Sequence, residues 1–280
     1  MKYKILIIVL IIILTITLSI LRVSDKNIVE PSNLASPFSY TFNEEGKLQE
    51  SDSMERSSSP YWWLNSGGIM NIKEGRGETN QGNLSNLSRW RIQYNISNSK
   101  DTDNGYRPQN IFRLVTRSKW QDFSQEAYFK INTTNLSPSI NRNLSNGILF
   151  FLRYQDGNNL YYAGLRVDGM AVIKKKINGE YFTLAQKEVF LGIYDKNKNP
   201  NLLPKKVWVG IKSEIKNDSN NSTSIKLFID KINDKKWELV LETVDDNSGF
   251  DKEPILNKGF AGIRIDFMDV EFKDFKISNI

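Results

Sequence analysis

Residues 159–186 read NLYYAGLRVDGMAVIKKKINGEYFTLAQ, three apolar-rich runs separated by Asp168-Gly169 and Asn178-Gly179. Asp-Gly and Asn-Gly supply the two positive-φ positions that a type I′ hairpin turn requires. The runs between them carry Tyr, Val, Ile and Phe, which suit a pleated surface. Two tight turns in succession predict a three-stranded antiparallel meander whose register can be counted from the turns. Val167 then faces Met170, Leu165 faces Val172 and Tyr161 faces Lys176. Across the second turn Lys176 faces Tyr181 and Lys175 faces Phe182. In this register Leu160, Tyr162, Ile173, Ile177, Phe182 and Leu184 share one face. Leu165, Val167, Met170 and Val172 share the other, with Tyr161, Lys174, Lys176, Tyr181 and Thr183 farther along it. Neither face is plainly polar. The sheet is expected to be packed on one side and partly covered or used on the other.

The same signals extend outward. NIFRLVTR (110–117) and QEAYFKI (125–131) alternate, and GILFFLRY (147–154) is apolar on both faces, as a central strand would be. KVWVGIKSEI (206–215), TSIKLFID (223–230) and KWELVLET (236–243) alternate again. The chain closes with GFAGIRIDFMDVEFKDFKI (259–277), where a bulge near Lys273-Asp274 would bring Val270, Phe272, Phe275 and Ile277 to one face. No amphipathic helix of ten residues stands out. About a dozen short strands at close spacing predict an all-β sandwich.

Before the strands, Lys2 and Lys4 precede an apolar run from Ile5 to Leu21, closed by Arg22. The run is at the short end of a membrane span, and Ser19-Ile20-Leu21 offers no small-residue cleavage pattern. Residues 1–22 are therefore expected to be an uncleaved transmembrane anchor with a cytoplasmic N-terminus, the alternative being a cleaved signal and a secreted protein. Residues 23–59, rich in Ser, Asn, Glu and Pro, read as a disordered linker. Residues 60–280 read as the folded domain, on the extracellular face. Asn-x-Ser/Thr occurs at Asn83, Asn86, Asn95, Asn132, Asn135, Asn143, Asn217, Asn220 and Asn221, which would make a glycoprotein in a host with the machinery.

Composition removes several chemistries. The 280 residues contain no Cys and no His, which excludes disulfides, thiol nucleophiles, Cys/His zinc sites and any triad with a His base. The formal charge is +6, but Lys and Arg alternate with Asp and Glu, without the basic stripe of a nucleic-acid-binding protein.

Three of these stretches, WQDFSQEAYFKI with SNGILFFLRY, the tyrosine-rich meander, and the closing strand pair, resemble the concanavalin A-like lectin/glucanase superfamily, in particular laminin G-like and 3-keto-disaccharide hydrolase-like domains. They cover most of residues 110–280. The resemblance implies a jelly-roll β-sandwich and an association with glycans, and it implies no particular reaction. The glucanase branch places Glu-x-Asp-x-Glu along one strand; the nearest match here is Glu238-Leu-Val240-Leu-Glu242, in which Val240 replaces the Asp. Glu238 and Glu242 read as the solvated face of a strand, and Asp269 and Glu271 as surface acids. Related domains often carry calcium. DTDNG (101–105) offers Asp101 and Asp103 at ligand spacing for a structural Ca2+, without the other ligands of a full loop. Sugar recognition needs an aromatic platform with fixed polar groups. Tyr161, Lys176 and Tyr181 meet that description in the counted register, and Trp62 with Trp63 is a second candidate. The expectation is a membrane-tethered, extracellular lectin-like domain that binds glycans or another surface ligand without catalysis. A carboxylate-dependent glycan hydrolase of the same fold and a structural envelope or adhesion domain are the alternatives.

Overall fold

The computed structural model describes residues 29–249 and 252–280. The apolar run and its anchor reading lie outside them, and among the described residues no helix is long and apolar enough to cross a membrane. The strands are β1 (Phe38–Tyr40), β2 (Gly46–Gln49), β3 (Trp62–Ser66), β4 (Ile69–Lys73), β5 (Arg76–Thr79), β6 (Ile111–Trp120), β7 (Phe123–Thr134) and β8 (Gly147–Asp156). They continue with β9 (Asn159–Arg166), β10 (Met170–Ile177), β11 (Glu180–Glu188), β12 (Trp208–Asn217), β13 (Thr223–Asp230), β14 (Glu238–Asp245), β15 (Gly259–Asp266) and β16 (Met268–Asn279). A single helix, α1 (Arg89–Ser97), and a 3-10 turn at Pro108–Asn110 complete the described elements.

The strands form two antiparallel sheets, so the expected all-β sandwich is the observed architecture. One sheet runs β14-β13-β12-β7-β16-β5-β4-β2, with β1 also on β16; the other runs β11-β10-β9-β8-β15-β6-β3. Alternate residues of both sheets, such as Ile225, Leu227 and Ile229 of β13 and Ile148, Phe150 and Leu152 of β8, meet in one core. The bulge in β16 falls between Lys273 and Lys276, with Asp274 in the left-handed region, and it returns Phe275 and Ile277 to the core. Strand β8 is apolar on both faces because its outer side is also covered. Leu149 and Phe151 cluster with Val115, Leu160, Tyr162 and Val172, beneath Met54 and Trp63.

The meander forms, but its two turns differ. Asn178 and Gly179 both have positive φ, +51° and +86°, and the second hairpin keeps the counted pairs Lys176–Tyr181 and Lys175–Phe182. At the first turn only Gly169 is left-handed, at φ +82°. The Gly169 N–H donates to the Arg166 carbonyl at 3.0 Å, closing a three-residue loop over 167–169. The segment packed on this turn accounts for the choice. The Gly169 carbonyl accepts from the N–H groups of Val189 and Phe190, and a Cβ on Gly169 would lie 2.0 Å from the Phe190 carbonyl oxygen. The extra loop residue moves the β9–β10 register by one, to Leu165–Ala171 and Tyr161–Lys175. A one-residue slip turns a strand over. Tyr161, Ala163 and Leu165 therefore point into the core, while Leu160 and Tyr162 point outward.

This parity places a polar cluster between the sheets. The Tyr161 hydroxyl donates to Asp245 of β14 at 2.5 Å, and the Lys175 ammonium lies 2.8 Å from the same carboxylate. Lys175 also donates to the Lys252 carbonyl at 2.6 Å, and the Ile255 N–H donates to the Tyr161 oxygen at 2.9 Å. Tyr161 and Lys175 are fully buried and Asp245 nearly so.

The chain between residues 29 and 59 is not a free linker. The Arg117 guanidinium donates to the Val29 carbonyl, the Ser32 N–H to the Pro60 carbonyl, and β1 and β2 each join the larger sheet. The aromatics scattered through this polar stretch supply the reason. Phe42 is buried against Trp62 and Phe272, and Phe38 and Tyr40 pack on Tyr61. Trp62 is fully buried in the same cluster, which removes it as a sugar platform.

Tyr161→Ala is expected to cost roughly 3–5 kcal/mol for the lost buried aromatic. Asp245→Ala is expected to cost about as much, because it leaves Lys175 buried without its counter-charge. Denaturant unfolding of both variants measures this. A loss under about 1 kcal/mol in each would remove the cluster from its inter-sheet role.

Candidate functional site

A cleft of about 440 Å³ opens on the outer face of the seven-stranded sheet. That volume falls in the range of small-ligand sites, about 300–1,000 Å³. Its floor crosses the sheet: Tyr181 from β11, Lys174 from β10, Tyr162 from β9, Leu149 from β8, Arg264 and Asp266 from β15, and Arg113 from β6. Cross-strand register brings these residues together. Lys174 faces Tyr162 on one side and Thr183 on the other, and Arg264 lies between Leu149 and Arg113. Asn141, Asn143 and Asn146 of the loop before β8, with Asp101, form a wall.

The aromatic part is a pair. The Tyr162 and Tyr181 rings stack with centroids 6.0 Å apart and an interplanar angle of 27°. Tyr162 is buried, whereas Tyr181 is 52% exposed. The Lys176 ammonium sits 4.8 Å from the Tyr181 centroid, and the Arg264 guanidinium 5.0 Å from that of Tyr162. Burial pushes the Tyr162 hydroxyl up to about 12. Burial also raises Tyr181, but the charges of Arg264 and Lys176, with hydrogen bonds from Tyr162 and Arg264, outweigh it and hold Tyr181 below the usual tyrosine value.

The charged part is arranged around one carboxylate. Asp266 accepts from Arg113 at 2.7 Å and from Arg264 at 2.8 Å. Burial disfavours its charge, yet the two guanidinium groups win and hold the carboxyl below the usual aspartate range. Arg166 beside the cleft is held by Asp168 through its Nε at 3.1 Å and by Gln186. Lys174 differs: its ammonium makes no hydrogen bond or ion pair with any described residue. Burial, with repulsion from Arg166 and Arg264 only partly offset by Tyr181 and Asp168, brings its pKa down to about 8.

The sequence-derived site residues divide. Lys176 and Tyr181 do lie together on the outer face. Tyr161 does not join them, because the register slip buries it, and Tyr162 takes its place beside Tyr181. Trp63 is partly buried on the same outer face but outside the cleft, its indole N–H donating to the Ser51 carbonyl at 3.0 Å. Glu238 and Glu242 are exposed on β14 and reach toward Lys231 and Lys226, at 3.7 and 3.9 Å. They do not line the cleft. Asp269 and Glu271 are not surface acids. Asp269 is buried and accepts from Gly82, Gln109 and Asn135, while Glu271 is held by Lys130 and Arg76. Arg264, Asp266 and Arg113 were missed. Their signal was the period-two pair in RID (264–266), whose partner across the sheet only the pairing of β15 with β6 reveals.

Asp101 and Asp103, the calcium candidates, are both hydrogen-bonded to the 137–141 segment. Asp101 accepts from Ser139 at 2.6 Å and from Asn141 at 3.0 Å, and Asp103 accepts from Ser137 at 2.5 Å. Among the described residues no three Asp, Glu, His or Cys side chains gather as metal ligands would. Of the glycosylation signals, Asn135 is closed to modification, its buried amide donating to Asn110 and Asp269.

No protein-family model and no curated protein sequence matches this chain. Solved structures similar to it include the carbohydrate-binding module CBM66 from Bacillus subtilis, at 12% identity and TM-score 0.48, covering 78% of this chain and 95% of the module. A Bacillus subtilis protein of unknown function with a galectin-like fold gives 14% identity and TM-score 0.45, covering 84% and 97%. The exoplasmic/lumenal domain of VIP36 in its Ca2+/Man-bound form gives 10% and 0.44, covering 84% and 89%. Similarity at this level assigns no ligand and no site residue to this chain.

An NMR titration of the lysine side chains is expected to place Lys174 near 8, well below the usual lysine value. Arg166→Gln should move it upward, because one repelling charge is gone and Asp168 is released. A Lys174 that titrates with the bulk lysines would remove it from the cleft.

Proposed function

We propose that the domain is a non-catalytic, lectin-like carbohydrate-binding module whose ligand seats in the outer-face cleft. One observation carries the reading. A half-exposed tyrosine ring, backed by a second ring, stands in a cleft whose other walls present amide and ammonium donors. A sugar offers an apolar ring face to the aromatic and hydroxyls to the polar groups. The carboxylates of the cleft support binding over hydrolysis. A glycosidase needs one carboxylic acid with a raised pKa. Asp266 is instead held ionised by two arginines, and Asp101 is bonded to Ser139 and Asn141.

A glycan array of the full chain, with a hydrolysis screen on every hit, tests this. Tyr181→Ala is expected to weaken binding by about 1–3 kcal/mol, the cost of losing a good aromatic contact. Its stability should change by only about 0.5 kcal/mol, because the ring is half solvated. Binding that survives this change, or release of sugar from a hit, would overturn the proposal.

The tether belongs to the same proposal. The apolar run from Ile5 to Leu21, without a cleavage pattern, would hold the domain at the extracellular face of a membrane. Intact-mass measurement on membrane-extracted protein is expected to find residues 1–21 retained, and a mature N-terminus shortly after Leu21 would refute it.

A further inference from the structure

The charges around the cleft are unequal. Arg113, Lys174 and Arg264 line it, and Arg166 and Lys176 stand at its border; the acids facing them are Asp101, Asp168 and Asp266. Each acid is already engaged. Asp266 is shared by Arg113 and Arg264, Asp168 is held by Arg166, and Asp101 accepts from Ser139 and Asn141. The two arginines in the floor are likewise fixed by Asp266. Lys174 alone among the lining cations has no acceptor among the described residues. An ammonium in a partly desolvated site, flanked by two guanidinium groups, is costly unless an anion answers it.

Geometry says where that anion would sit. Lys174 faces Thr183, and Lys176 faces Tyr181, so Lys174 and Tyr181 are diagonal neighbours on one face of the β10–β11 hairpin. Diagonal pairs lie roughly 7–8 Å apart. A sugar ring on the Tyr181 face would carry a substituent on its rim to the Lys174 ammonium. We infer that the cleft selects an acidic saccharide, whose carboxylate, sulfate or phosphate group pairs with Lys174 while its ring rests on Tyr181. The inference builds on the carbohydrate-binding reading of the same cleft.

Protonation gives a test that a merely structural lysine would not pass. With a pKa near 8, Lys174 is charged at pH 6.5 and largely neutral at pH 9.5. An anion held by it is bound below that value and loses its counter-charge as pH rises through it. The groups facing Lys174 are Tyr162 and Arg166 on β9, Arg264 on β15, Asp168 in the turn and Tyr181 on β11, and burial holds Tyr162 protonated over this pH range. Tyr181 is held below the usual tyrosine value, and its ionisation would weaken anion binding in the same direction. A lysine-to-arginine change separates the two, because arginine stays charged throughout.

The experiment is a glycan array of the full chain at pH 6.5 and 9.5, with uronate-containing, sulfated, phosphorylated and matched neutral glycans in separate sets. Wild-type protein, Lys174→Met, Lys174→Arg and Tyr181→Ala are compared. Acidic glycans are expected to bind at least about tenfold more tightly than their neutral counterparts at pH 6.5, the worth of one charge contact, with most of that advantage gone at pH 9.5. Lys174→Met should lose the preference, and Lys174→Arg should keep it at both pH values. The set that responds identifies the acid group. Equal binding of acidic and neutral glycans, still weakened by Tyr181→Ala, would overturn the inference and leave the carbohydrate reading standing. A pH step that persists in Lys174→Arg would also overturn it. No glycan bound, or binding indifferent to Tyr181→Ala, would overturn both.

Discussion

The contact of Tyr161 and Lys175 with Asp245 sets the geometry of everything on the outer face. The three groups come from strands of both sheets and meet where no water competes, with the 252–255 segment closing over them. Buried ion pairs are costly to assemble and costlier to break one side at a time. A strand that carries Lys175 inward has no freedom of parity. Lys174 and Lys176 must then point outward, where one stands in the cleft and the other lies over Tyr181. Lys174, Lys175 and Lys176 do not distinguish the two faces of β10 by polarity, and it is the buried carboxylate of Asp245 that selects Lys175 for the inside. Ala171, Val172 and Ile173 are apolar whichever way they point.

That ambiguity explains how far the sequence could be read. Strand existence was legible from alternation, and Thr223–Asp230 was placed to the residue. The Asn178-Gly179 turn was legible because both residues tolerate positive φ and the neighbouring 158–159 turn accepts their N–H groups, at 3.0 and 3.2 Å, without crowding them; the nearest atom to a Cβ on Gly179 is an Asn158 side-chain oxygen at 3.6 Å. The Asp168-Gly169 turn has the same local chemistry and takes a different form, because the chain at 189–190 bonds to its carbonyl. A contact twenty residues away along the chain chose the loop, and one extra residue exchanged Tyr161 for Tyr162 in the candidate site. Composition likewise misjudged residues 29–59. Their average is polar, but Phe38, Tyr40 and Phe42 are enough to bind the stretch to the Trp62 cluster. Helix α1 gave no amphipathic signal, since Ile92 and Ile96 are exposed and Trp90 and Tyr94 carry its packing.

The cleft shows a common way of keeping charge in a partly buried site. Asp266 neutralises two arginines that would otherwise repel each other across β6 and β15, and in doing so locks both side chains. The locked guanidinium of Arg264 then backs Tyr162, which in turn backs Tyr181. Rigidity passes outward from an ion pair to the ring that meets solvent, so the platform is prepared before any ligand arrives. The price is paid at Lys174, the position that feels the field of Arg264 without a share of Asp266.

Tyr181 belongs to β11, which stands at the end of its sheet, and most of that strand is exposed. An edge strand is held by one neighbour rather than two, and it opens locally at a smaller free-energy cost than the core strands behind it. The most exposed part of the platform therefore rides on the least secured part of the sheet. A ligand that bridges Tyr181 to residues on β10, β9 and β15 fastens the margin to the centre like a staple. Part of what such a ligand contributes is a sheet that frays less, and the affinity of the cleft and the closure of its outermost strand become one quantity.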